Sequence, residues 1–125
     1  MSVLAEVARR AGADSPLWRA ALVAEDGRPE FEGVCPPGHL LGVEMIYEGH
    51  LLHHGRSRLF SHDDADLALL TGDYLYAAGL VEVCATVDLD AVQALAALIS
   101  ETSRAAAQGE PDDPAPWRAT VSRFG

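Results

Sequence analysis

Apolar residues recur at three- and four-residue spacing along most of the chain, and over no useful length do they alternate with period two. The steadiest run is PGHLLGVEMIYEGHLLHH, where Leu40, Val43, Tyr47, Leu51 and His54 share a face and Leu41, Met45 and Leu52 lie alongside. A helix apolar on nearly every side belongs inside a bundle. It is predicted over residues 37–54, with Gly55 terminating it. Gly42 and Gly49 stand seven apart within it. Each glycine costs about 1 kcal/mol against alanine in a helix, and close approach of a neighbouring helix is the expected return.

A second long helix is predicted over 62–87 and a third over 90–108, separated by a short break with Asp88 or Asp90 as cap and closed by Gly109. Ser61 followed by Asp64 matches a capping box. Asp63, Asp64 and Asp66 then fall in the first turn, where the helix dipole favours negative charge. Two shorter helices precede these: 2–11, capped by Ser2 and ended by Gly12, and 15–25, capped by Asp14 or Ser15 with Pro16 in its first turn. Residues 26–36 carry turn chemistry and read as a loop. The expected architecture is an all-α helical domain over 1–110. A proline-rich acidic tail, 111–125, follows and docks by Trp117, Val121 and Phe124, with room for a short last helix.

Composition agrees with helix, since alanine and leucine dominate and aromatics make up 6%. Charge narrows the function. The chain carries 19 acidic and 9 basic residues, a net charge of −10, and every basic residue is arginine. That balance argues against nucleic-acid binding and against an anionic membrane surface. The N-terminus lacks the basic-then-apolar order of a signal peptide, and no apolar run approaches the roughly 20 residues of a membrane span. A cytoplasmic protein without membrane insertion is expected. Cys35 and Cys84 each stand alone, so zinc-ribbon and thioredoxin-like chemistry are not indicated, and Cys84 reads as a small core residue.

The chemically suggestive residues cluster between His50 and Asp66. His50 and His54 share a helix face at the spacing of two-histidine metal sites, and Asp63 could fold back as a third ligand. Glu44 and Glu48 lie elsewhere on that helix. Asp63 and Asp64 are alternatively magnesium ligands, or simply caps. The bland reading of the histidine pair is packing, or complement to the helix dipole. No nucleophile elbow and no glycine-rich phosphate loop occurs.

Three longer strings, VEMIYEGHLLHHG, ALLTGDYLYAAGLVEV and LAALISETSRAAAQGE, resemble in order and spacing the central helices of trans-isoprenyl (polyprenyl) diphosphate synthases. The segment Gly72, Asp73, Tyr74, Leu75 is the most specific. By that resemblance the fold is expected to be that of the N-terminal and central helices of the isoprenoid synthase fold. The family's first aspartate-rich motif falls on His54, Gly55, Arg56, Ser57 and Arg58, with no aspartate among them. The lysine and arginine that hold the second diphosphate have no counterpart, and only Asp112 and Asp113 follow in place of the second motif.

The resemblance therefore implies a chain without catalytic residues of its own, similar to the small subunits of heteromeric long-chain prenyl diphosphate synthases. It implies no cofactor, with Mg2+ relevant only when a catalytic partner supplies it. It also implies an interface through Tyr74, Leu75, Ala78, Val81, Val92, Leu95 and Ile99, in a homodimer or with a full-length synthase; the alternative is that these residues fill the chain's own core. Two other functions stay open: a stand-alone, self-associating protein binding a small apolar ligand, and a His/Asp metal-site protein.

Overall fold

In the computed structural model, which describes residues 2–125, six helices follow one another: α1 Val3–Asp14, α2 Pro16–Ala21, α3 Pro37–His53, α4 Ala65–Cys84, α5 Leu89–Ala107 and α6 Ala115–Val121. No strand forms among the described residues, and the one β-bridge, Leu22 to Phe60, is isolated. The protein is all-α.

α3 is the axis. Every residue from Gly42 to Leu52 is buried. One side of the helix meets Phe31, Leu95, Leu98, Trp117 and Val121. The other meets Leu4, Val7, Leu59, Phe60 and Leu75. α1 and α2 thus cover one flank while α5 and α6 cover the other. Burial of this much leucine, phenylalanine and tryptophan supplies the main stabilising term, at about 25 cal/mol per Å² of apolar surface.

α4 runs antiparallel to α3 at backbone contact. Gly42 faces Gly79 and Gly49 faces Gly72, so the seven-residue spacing recurs on the partner helix. A Cβ on Gly79 would sit 2.7 Å from the Gly42 carbonyl oxygen, and one on Gly49 would sit 2.7 Å from that of Gly72. No L side chain fits at this approach. The propensity lost at four glycines is the cost of bringing the two helix backbones together.

The helix ends follow local chemistry. Ser2 accepts the Ala5 N–H and Ser15 the Leu17 N–H, while Asp88 accepts that of Ala91. α1 runs through Gly12 to Asp14, because Ser15 caps the next helix and its own N–H returns to the Ala11 carbonyl. Gly55, at φ +73°, closes α3: its N–H returns to Leu52 and that of Arg56 to Leu51. α4 starts at Ala65, not 62. Residues 59–61 are held in extended pairing instead, with Val23 N–H on the Leu59 carbonyl and Ser61 N–H on that of Ala21. Asp64, rather than Ser61, is the cap, accepting from Asp66 and Leu67. The same pairing shortens α2 to Ala21.

α4 has the 20-residue length and the mean hydropathy, 1.3, of a membrane span, although a third of that stretch is buried within this fold. No apolar run of this kind was expected from the sequence. Asp66, Asp73 and Glu82 punctuate it, and its inner face is part of the core.

The glycine contact predicts asymmetric alanine substitutions. Gly79→Ala places a methyl against backbone, where overpacking costs about 1–3 kcal/mol, more than the roughly 1 kcal/mol gained in propensity. Gly38→Ala, with open space around it, keeps the gain. Urea unfolding should show a lower midpoint for the first variant and an equal or higher one for the second.

Candidate functional site

The segment His54–Arg58 leaves the end of α3 and folds back against it. Glu44 and Glu48 are one helical turn apart on α3, and both are fully buried. Arg58 reaches between them. Its Nη1 donates to Glu44 Oε1 at 2.6 Å and its Nε to Glu48 Oε1 at 2.8 Å. Its guanidinium carbon lies 5.4 Å from the centre of the Tyr47 ring. The remaining carboxylate oxygens are used as well: Glu44 Oε2 accepts the Phe31 N–H at 2.7 Å. Glu48 Oε2 accepts from the N–H groups of Arg58 and Leu59 and from the Ser57 hydroxyl. Three stretches of chain, around residues 31, 44–48 and 57–59, are tied at one point.

The histidines lie on the neighbouring face of α3. His50 is fully buried, with its ring centre 5.0 Å from that of Trp117 and 4.2 Å from that of His54. Its Nε2 is 2.9 Å from Asp112 Oδ1, and Arg56 holds Oδ2 of the same carboxylate. Burial pushes the His50 imidazole below its ordinary value, against the pull of Asp112. Burial acts upward on the Asp112 carboxyl, but the His50 hydrogen bond, with the charge of His50, His54 and Arg56, outweighs it and holds Asp112 below the usual range. His54 Nδ1 donates to the His50 carbonyl at 2.8 Å, so in the neutral ring the lone pair is on Nε2. Ligand atoms of His50, His54 and Asp112 all lie within 4.8 Å of one another.

The third residue beside the histidine pair is thus Asp112, and neither Asp63 nor Asp64 belongs to the group. Asp64 is engaged as the α4 cap and Asp63 is exposed. The sequence offers Asp112 only as a remnant in place of the family's second motif, because its Pro-Asp-Asp-Pro frame has no periodicity to place it beside the histidines. Glu44, Glu48 and Arg58 carried a readable signal. Two acids at i, i+4 on a helix with no polar side require a cation, and a lysine-free chain offers only arginine.

The residues expected at an interface divide. Leu75 and Leu95 are fully buried in the chain's own core, and Val92 and Ile99 pack partly against it. Tyr74 stacks on Trp18 with ring centres 5.1 Å apart. Tyr74, Ala78 and Val81 border a groove of about 380 Å³ between α1 and α4, rimmed by Arg10, Asp14 and Glu82. Val81 is 69% exposed, and Leu70, 56% exposed, extends the same helix outward. Compared with known protein families, curated proteins and solved structures, the chain matches none.

Cys84, expected in the core, is exposed at the end of α4, whereas Cys35 is buried. Burial pushes the Cys35 thiol up to about 12, with Glu44 adding to the effect, so it stays protonated and unreactive at neutral pH. A disulfide-exchange reagent should label one thiol per native chain, at Cys84, and the second only on unfolding. Two fast equivalents in the native protein would contradict the burial of Cys35.

Proposed function

We propose that the chain is a non-catalytic, polyprenyl-synthetase-like helical protein that acts in the cytoplasm as a structural or regulatory subunit of a prenyl diphosphate synthase. The observation that carries the reading is the outer face of α4. This helix bears the Gly72–Leu75 segment on which the family resemblance rests, and it is apolar apart from Asp66, Asp73 and Glu82. Yet Leu70, Ala77 and Val81 lie exposed on it, with Leu69 beside them. A solvent-facing stripe of this kind on a 20-residue helix is the mark of a surface that packs against another helix.

The residues at the positions of the family's metal-binding motif support the non-catalytic part. Arg58 is turned inward onto Glu44 and Glu48, and Arg56 is engaged by Asp112. Ionisation of an allylic diphosphate requires carboxylates that hold magnesium against the leaving group, and this segment offers only histidine, glycine, serine and arginine. Catalysis, with its Mg2+, would belong to the partner. The chain's contribution would be the apolar α4 surface that borders the partner's product tunnel and thereby sets chain length.

A second reading rests on the same face and on the adjoining groove, whose volume suits a small apolar ligand. In it, two copies pair through α4 with no catalytic partner. Co-expression with a full-length synthase from the same genome separates the two. The subunit reading predicts a stable complex, an altered product length, and loss of both on Val81→Glu. A chain that never joins the synthase and leaves its product unchanged would end that reading. A Val81-dependent homodimer under those conditions favours the second.

A further inference from the structure

We propose that His50, His54 and Asp112 form a binding site for a first-row divalent metal ion of the zinc type, independent of the α4 docking surface. The convergence is geometric first. One ligand atom from each residue falls within a 4.8 Å group. Donors sharing one ion at about 2.0–2.2 Å stand roughly 3.4 Å apart in a tetrahedral site, so the group must draw in from its 4.8 Å spread to share one ion. Two imidazole nitrogens with one carboxylate oxygen suit zinc, cobalt or nickel and do not suit magnesium or calcium, which want oxygen donors.

The three side chains already sit in contact with one another or with shared partners. The His54 tautomer is fixed by its Nδ1–H on the His50 carbonyl, at 2.8 Å, so that Nε2 presents a lone pair. Orientation through the second ring nitrogen is the usual arrangement behind a metal-ligating histidine. His50 is fully buried, and its Nδ1 has no partner. An apolar residue would fill that position beside Trp117 and Tyr47 without leaving a polar atom unmet. Metal binding at Nε2 would replace the hydrogen bond to Asp112 and move the ring proton to Nδ1, a buried N–H with no acceptor among the described residues, a cost that the metal bonds must offset. Asp112 supplies the charge, and Arg56 on its second oxygen stands where a cation is wanted.

Metal at this point has a structural consequence. Asp112 sits five residues before Trp117, whose ring packs on His50, so an ion would pin the acidic 110–114 segment and α6 against α3. Trp117 would report its arrival.

The test is titration of the whole chain with Co2+ alone, read by visible ligand-field absorption and by tryptophan fluorescence, followed by displacement with Zn2+. The site predicts saturation at one equivalent, intense tetrahedral bands and fluorescence quenching. It further predicts a loss of about tenfold or more in affinity for His54→Ala and for the isosteric Asp112→Asn, with Asp63→Asn as parent. Arg56→Gln, which removes the competing cation, should bind several-fold more tightly. If His50 and Arg56 merely fasten Asp112, Co2+ will not saturate even at millimolar metal. That result, or equal binding by parent, His54→Ala and Asp112→Asn while circular dichroism reports intact helix, overturns the proposal.

Discussion

Two glutamates and one arginine at the end of α3 decide how the chain folds back on itself. Glu44 and Glu48 lie on a helix buried on all sides, where an unpaired carboxylate costs several kcal/mol. One guanidinium serves both, and backbone N–H groups of Phe31, Arg58 and Leu59 take up the remaining oxygens. Because Arg58 must reach inward, the chain after Gly55 turns back along the helix. Leu59 and Phe60 are thereby delivered into the core beneath α1, and Phe60 pairs with Leu22. The start of α4, the length of α2 and the course of the 26–36 loop are all consequences of that return.

The α3–α4 contact is the second constraint, and it divides α4 into two faces with different uses. Glycines at 42, 49, 72 and 79 let the backbones touch, so the inner face of α4 is consumed by α3. The outer face carries leucine, alanine and valine, with Asp73 among them, and no described residue covers them. The proposed docking of a synthase partner is a statement about that outer face. The proposed metal site lies away from that face, at the junction of α3 with the C-terminal segment. The two can succeed or fail separately.

Helical periodicity made α3, α4 and α5 legible in the sequence, and Gly55, Asp88 and Gly109 marked their limits. Ser61 misled because its capping pattern is local, whereas the pairing of residues 59–61 with α2 is long-range and has no sequence period. The pairing of Gly42 and Gly49 with Gly79 and Gly72 was half visible, as the first spacing without its match. Cys84 was placed inside by the apolar pattern of α4, which cannot tell which side of a nearly all-apolar helix meets α3. Asp112 could not be placed at all, since its position depends on how a proline-rich segment crosses the surface. The family resemblance puts Arg58 at a position of the lost aspartate motif but says nothing of its reach inward to Glu44 and Glu48, on which the turn depends.

The most direct test is equilibrium urea unfolding of Arg58→Met beside the triple variant Arg58→Met, Glu44→Gln, Glu48→Gln. Methionine retains much of the packing volume, so the single variant isolates the loss of charge pairing. It leaves two carboxylates buried without a cation, and should cost about 3–5 kcal/mol. The triple variant keeps amide oxygens for the backbone donors while removing the buried charge, and should recover a substantial part of that loss. A single variant within about 1 kcal/mol of the parent, or a triple variant less stable than the single, would contradict the claim that Arg58 holds the fold by neutralising Glu44 and Glu48.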